Sequence, residues 1–407
     1  MTLGGAMTMV ITNAKIVLED ETILGNIKIV DDTIAQISSK PIENPGTDDI
    51  LDAKGCFVMP GVVDLHTHGS GGFDFMDGEV SDIVGAASSL AAHGTTTCLP
   101  TTLTSSDEEL FSFIKNYRTL VEGFKKKPAL NMAKMPGLHL EGPYFDMEQK
   151  GAQDPRYIRK PDEKHYMSIM EASQGSIKRW SVAPELDGAL EMTKRLSKEG
   201  VLISAGHTAA TYDEISKAYD CGMNLLTHFY SGMSTITRRG GFRVLGTVES
   251  GYLLDDLNIE LICDGMHLPP ELLEMIFKLK RHDRITACSD SMRGAAMPQG
   301  PSILGPKHNG TACIIEDGIA KMPDRTCFAG SVATGDRLIR TLYKTMGLKM
   351  EEVSRLVSLR PAQLIGMDAE IGSIKEGKKA DLVICDEDVK LKHVLVDGKI
   401  VLNSYRL

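Results

Sequence analysis

No C-x-x-C pair occurs among the eight cysteines (Cys56, Cys98, Cys221, Cys263, Cys288, Cys313, Cys327 and Cys385), which argues against a zinc ribbon and a dithiol redox motif. Most sit in apolar runs such as Thr97-Cys98-Leu99 and read as small buried hydrophobes in a reducing compartment. Nowhere do 18 apolar residues follow one another, and residues 1–6 lack a basic region leading into an apolar stretch. Neither a membrane span nor a secretory leader is expected. Basic residues are outnumbered: 45 Lys+Arg against 55 Asp+Glu leave a net charge of −10, which repels phosphate backbones and anionic lipid. Nucleic acid and membrane surfaces are therefore not expected as partners, and the expected location is cytoplasmic. A G-x-S-x-G elbow is absent and no cysteine has an evident histidine partner, so acyl-enzyme chemistry has no support. Gly69-Ser70-Gly71-Gly72 does not match G-x-G-x-x-G and reads as a flexible loop.

What is present is a long globular chain. With 42% hydrophobic and 25% charged residues it can bury a large core, and 407 residues exceed one ordinary domain of about 100–150. Both ends carry short β-branched runs with period-two alternation, including Lys15-Ile16-Val17-Leu18 and Asn26-Ile27-Lys28-Ile29-Val30. Near the other end, Asp397-Gly398 between two such runs is a hairpin signal. The spacing predicts one small β-sandwich built from residues 1–60 and 365–407. Between them, residues 61–364 alternate eight apolar strand-like runs with helix-like stretches. That alternation predicts an α/β fold, a (β/α)₈ TIM-like barrel, in which chemistry gathers at the C-terminal ends of the strands.

His66, His68, Glu141, His207, His228, Asp264 and Asp290 all fall at or near the ends of these runs. In His66-Thr67-His68 the two imidazoles are two residues apart on a strand, so they point the same way and can reach one ion. A mixed imidazole and carboxylate set suits a divalent metal such as zinc, iron or manganese. His66, His68, Glu141, His207, His228 and Asp290 make six candidate ligands, more than one catalytic ion needs if it keeps a position open for water. Two ions bridged by Glu141 are the simpler expectation. Taken singly, His207 or His228 reads as a satisfied core histidine; only the set overturns that. His139 shares a face with Glu141 but lies two residues deeper, which suits a supporting contact. His93, before Gly94, reads as a helix C-terminus. His165, His282, His308 and His393 lie in charged or loop-like surroundings and are expected to be solvated.

These residues carry a resemblance. Pro60-Gly61-Val62-Val63-Asp64-Leu65-His66-Thr67-His68-Gly69, Gly137-Leu138-His139-Leu140-Glu141-Gly142-Pro143-Tyr144, Gly206-His207-Thr208, Thr227-His228-Phe229-Tyr230 and Ser289-Asp290-Ser291 resemble the metal-dependent amidohydrolase superfamily. Within it, the N-acetylglucosamine-6-phosphate deacetylases are the most similar group. The resemblance implies that Glu141, His207 and His228 hold the family metal, and that His66 and His68 match members with a second ion. Asp290 would be the catalytic acid/base, releasing acetate and an amino sugar phosphate. It further implies substrate contacts from His267, from Ala152 and Phe328 through the backbone, and from Ser231 and Gly232, where the family has Asn-Ala. Arg239 aligns with a phosphate arginine that in the family reaches the neighbouring subunit's site, so a homodimer is implied. Around it this chain reads Arg239-Gly240-Gly241-Phe242 in place of Arg-Glu-Pro-Gly. Gln153 stands where some members have a histidine that polarises the carbonyl, work that a second ion can do. Those departures leave open an amidohydrolase acting on a different N-acyl amino sugar or N-acyl amino acid derivative. A non-catalytic scaffold would have lost metal ligands, and none is missing.

Overall fold

The computed structural model describes residues 7–43, 46–47, 49–126 and 131–403; residues 1–6, read above for a leader, lie outside them. All eight apolar runs are strands: Val62–Thr67, Thr95–Pro100, Leu138–Glu141, Ile177–Val182, Leu202–Ala205, Leu225–Leu226, Asn258–Ile262 and Ile285–Cys288. The last six form one parallel sheet in chain order, and the first two pair in parallel with each other. Isolated parallel bridges, Thr101 to His139 and Thr67 to Ser291, join that pair to the two edges of the six-stranded sheet. Nearly every side chain on these strands is buried, as expected where helices cover the outer face of a parallel sheet.

The connecting helices show why the sequence alternates. Ala189–Lys198 buries Ala189, Met192, Thr193 and Leu196, one face at helical spacing, and carries Arg195 and Lys198 in its last turn against the helix dipole. Tyr212–Asp220 starts on a capping box in which Thr211 N–H donates to Glu214 at 2.7 Å. Val80–Ala92 ends at His93, followed by Gly94 in the left-handed region, as the sequence suggested.

Strands from both chain ends form one sheet. Phe57–Pro60 pairs antiparallel with Leu382–Cys385, which unites the N-terminal strands with Leu391–Val396 and Lys399–Asn403 in a continuous eight-stranded sheet. Alternation sorts its faces. Leu382 and Ile384 join an apolar cluster with Ile11, Ile16 and Ile27, whereas Val383 and Cys385 pack into the main core. Asp397 and Gly398 form the expected hairpin turn, both with positive φ.

Several local expectations fail. Gly69-Ser70-Gly71-Gly72 is not a free loop: Gly69–Ser70 pairs with Phe73–Asp74 across Gly71 and Gly72, and Ser70 Oγ lies 2.8 Å from Ser89 Oγ. His165 is not solvated; Tyr144 Oη and Asp107 hold its ring at 2.6 and 3.0 Å. His393 is buried in its strand, whereas His282 and His308 are on the surface. Those partners come from distant segments, which neighbours in sequence do not report. An unforeseen three-stranded sheet (Gly300–Leu304, Thr311–Glu316, Ile319–Lys321) follows the eighth parallel strand and packs on Met292 and Ala329. All eight cysteines are unpaired, and five of them are buried. Among the described residues, no helix is long and apolar enough to cross a membrane.

Candidate metal centre and active site

The site residues project from strand ends at a regular offset. His207, His228, Asp264 and Asp290 each lie two residues past the last residue of a parallel strand, at Ala205, Leu226, Ile262 and Cys288. Three of these turns are strained in the same way: φ is 48° at His207, 36° at His228 and 46° at Asp290, the left-handed region that favours glycine. Each such residue costs of order 1–3 kcal/mol unless its surroundings hold it. Here they do. Asp290 N–H donates to the His66 carbonyl at 2.9 Å, Ser331 N–H donates to the Asp290 carbonyl at 2.8 Å, and Asp146 N–H donates to the His207 carbonyl at 2.9 Å.

The side chains converge on Glu141. Its Oε1 lies 3.1 Å from His228 Nε2, 3.3 Å from His207 Nε2 and 3.4 Å from His66 Nε2, and its Oε2 lies 3.4 Å from His68 Nε2. Asp290 Oδ1 faces His68 Nε2 at 3.2 Å and His66 Nε2 at 3.4 Å. Two groups with metal-ligand geometry result, His66–His68–Glu141 and Glu141–His207–His228, with the carboxylate common to both. All of these residues are buried.

Three features fit a divalent ion better than a hydrogen-bond network. Donor atoms about 2.1 Å from one tetrahedral ion stand about 3.4 Å apart, close to the separations found here. His207 Nε2 and His228 Nε2 face each other at 3.3 Å, although His207 Nδ1 already donates to the Gln149 carbonyl at 2.8 Å and so leaves Nε2 as a lone pair. His66 Nε2 and His68 Nδ1 are buried with no hydrogen-bond partner among the described residues.

The electrostatics also call for positive charge. Burial works against a protonated imidazole, yet Asp290 and Glu141 raise His66 to about 10 and His68 to about 9. Burial likewise opposes ionisation of Glu141, but the charge on His66 holds it well below the carboxylate range. His139, by contrast, is driven well below the usual histidine value by burial and by the Arg179 cation. It lies outside both ligand groups, with Nε2 2.7 Å from Ser181 Oγ and Nδ1 3.3 Å from Thr101 Oγ1.

A cavity of about 240 Å³ opens over the ligands. Its walls include Ala152, Ser231, Gly232, His267 and Phe328, with Leu103, Leu304 and Cys327 as apolar additions not foreseen from the sequence. Asp264 is not among the ligands; its carboxylate accepts His267 Nδ1–H at 2.7 Å and the His267 backbone N–H at 2.9 Å, aiming the imidazole. Gly232 has φ 56°, and a Cβ there would stand 3.0 Å from His207 Nδ1, so the glycine leaves room for the ligand's support. Arg239 is not brought to this cavity. It lies on an exposed hairpin, Thr237–Arg239 paired with Phe242–Val244, beside Arg238 and Arg243.

Two supporting contacts escaped the sequence reading. Thr104 N–H donates to Gln153 Oε1 at 2.8 Å, which fixes the amide and turns Nε2 to Glu141 Oε2 at 2.7 Å. Below the ligands, Arg179 and Glu260 form an ion pair, both completely buried. A charge placed inside a strand buried on both faces was the available signal, because such a charge requires a partner. Arg179 in Ile177–Val182 and Glu260 in Asn258–Ile262 are such a pair.

Residues 57–401 match the Amidohydrolase family. The chain is 32% identical over 91% of its length to an N-acetylglucosamine-6-phosphate deacetylase from Lysinibacillus sphaericus, covering 91% of that protein. It is 29% identical to an N-acetylgalactosamine-6-phosphate deacetylase from Escherichia coli O157:H7, covering 92% of this chain and 94% of that one. Among solved structures, it superposes with a TM-score of 0.87 and 27% identity on an N-acetyl-D-glucosamine-6-phosphate deacetylase variant from Mycobacterium smegmatis in complex with N-acetyl-D-glucosamine-6-phosphate, over 98% of this chain and 100% of the other. The Thermotoga maritima N-acetylglucosamine-6-phosphate deacetylase gives 0.83 at 30% identity, over 97% and 100%. With that match and the two ligand groups sharing Glu141, the chain belongs to the amidohydrolase family.

Proposed function

We propose that this chain hydrolyses the acetamide of N-acetyl-D-glucosamine 6-phosphate, giving D-glucosamine 6-phosphate and acetate. The observation that carries the reading is the pair of ligand groups meeting at Glu141 with Asp290 beside them, at the floor of a cavity walled by His267 and Phe328. Glu141, His207 and His228 would hold one divalent ion, zinc or iron, and His66, His68 and Glu141 would hold a second. A bound ion of this kind lowers the pKa of water towards neutrality and polarises a carbonyl. Asp290 takes a proton from the water as its oxygen bonds to the acetyl carbon. The same carboxyl then returns that proton to the amine nitrogen as the C–N bond breaks. Gln153 and the strand-end backbone hold Glu141 and Asp290 in place meanwhile.

Ala152, Ser231, Gly232, His267 and Phe328 are the proposed sugar contacts. Arg239 is the proposed phosphate ligand, reaching from the partner in a homodimer; its exposure on a protruding hairpin supports that role. The two bridges joining the strand pair to the six-stranded sheet support a closed eight-stranded (β/α)₈ barrel over 61–364. The separate apolar cluster of the terminal sheet supports a small β-sandwich domain from 1–60 and 365–407. A cytoplasmic location fits eight unpaired cysteines and a phosphorylated substrate.

The test is acetate release from N-acetylglucosamine 6-phosphate, with its galactose epimer and the unphosphorylated sugar in parallel and bound metal quantified. Fast release from the glucose epimer is expected. Metal without acetate from any of the three would overturn the substrate and favour another N-acyl compound.

A further inference from the structure

The deacetylation proposed above makes no direct use of Arg179 and Glu260, yet they lie against the ligand set. Every guanidinium donor is engaged. Nε donates to Ser204 Oγ at 3.3 Å, Nη1 to the Leu65 carbonyl at 3.3 Å and to Glu260 Oε1, and Nη2 to Thr227 Oγ1 at 3.1 Å and Glu260 Oε2 at 2.9 Å. Glu260 Oε2 in turn accepts His66 Nδ1–H at 3.3 Å and the His228 backbone N–H at 3.2 Å. One carboxylate thus touches one histidine from each ligand group.

The position has a hazard. His66, Glu260 and Cys288 form a third cluster whose ligand atoms all lie within 4.8 Å of one another, on the Nδ1 side of the same ring that offers Nε2 to the cavity. Imidazole, carboxylate and thiol together suit zinc or cobalt. In the native chain Arg179 donates to both Glu260 oxygens, so the carboxylate that an ion would need already carries a fixed cation.

We propose that the Arg179–Glu260 pair is a positioning device that commits His66 to the cavity: Glu260 fixes the Nδ1–H tautomer, and Arg179 denies the deeper His66–Glu260–Cys288 cluster to metal. The inference rests on reading the cavity ligands as a metal centre. Supporting carboxylates on ligating histidines alter metal affinity about 10–100-fold when removed. The step added here is the exclusion of a competing site by the arginine fork.

The test is cobalt(II) titration of the metal-stripped chain, wild type and Arg179→Met, followed by ultraviolet absorption and metal content. Wild type should bind cobalt without thiolate-to-cobalt charge-transfer absorption. Arg179→Met should gain that absorption, lose it again in Arg179→Met/Cys288→Ser, and bind cobalt in the His66–His68–Glu141 group at least tenfold more weakly. A folded Arg179→Met with unchanged affinity and no thiolate band overturns the proposal. No cobalt binding by wild type would overturn the metal-centre reading itself, and this inference with it. Should Arg179→Met fail to fold, ¹⁵N-histidine NMR of zinc-loaded wild type decides, with the His66 signals assigned by their loss in His66→Gln. Protonated Nδ1 on His66 supports the device, and protonated Nε2 refutes it.

Discussion

Asp290→Asn is the sharpest test of the proposed chemistry, because the structure isolates what it removes. The amide is isosteric, and asparagine is among the few residues that tolerate left-handed backbone, so φ of 46° is retained without new strain. Alanine there would add about 1–2 kcal/mol of backbone cost and confuse the result. The substitution deletes the charge and the proton acceptor that face His68 at 3.2 Å and His66 at 3.4 Å. Loss of a positioned acid/base is worth about 10²–10⁴ in rate, or about 3–5 kcal/mol of barrier. The expected outcome is kcat for acetate release about 10³-fold lower and KM changed only a few-fold, in a protein that still melts cooperatively. Metal bound by Glu141, His207 and His228 should persist, since Asp290 is not in that group, while the His66–His68 side weakens. A variant with kcat within tenfold of wild type and its metal retained would refute the assignment.

Other perturbations probe different parts of the molecule. Chelation should lower Tm by several degrees, because an ion at 1,000 times its Kd stabilises by about 4 kcal/mol, and zinc should restore it; an unchanged melt in stripped protein would refute a metal centre here. Arg239→Ala should raise KM for phosphorylated sugar while leaving the slower reaction of the unphosphorylated sugar untouched, and equal loss on both would deny a phosphate contact. Asp336 is disfavoured as a carboxylate by burial, but the His93 imidazole 3.6 Å away and hydrogen bonds from Thr334 and Arg340 outweigh this and bring it down to about 2 from 3.8. Its folded value is depressed, so it contributes about 2 kcal/mol that is complete above about pH 4 and lost as pH falls through about 2. Urea denaturation of Asp336→Asn should show that deficit at pH 7 and a shrinking gap below pH 4; equal stability at pH 7 would refute it.

The site divides into what strand periodicity exposes and what only three dimensions assemble. His66 and His68 were legible because alternate residues on a strand share a face, and His207, His228 and Asp290 because each follows a short apolar run by a fixed step. The sheet after Ile285–Cys288 was not legible: it contributes Leu304 to a cavity whose other walls come from distant elements, so Leu304 gains meaning only in three dimensions. The surroundings of His165 are hidden from local pattern for the same reason, since Tyr144 and Asp107 reach it from 21 and 58 residues away. Arg179 and Glu260 fall between these cases. Each stands at a strand position where the alternation demands burial, and 81 residues separate them, so neither predicts the other locally. Yet two opposite charges inside two fully buried strands have no low-cost solution except one another. The residues hardest to place by local pattern are therefore the ones that hold His66 and His228 where the chemistry needs them. A search for charges that a strand cannot bury alone would have found them.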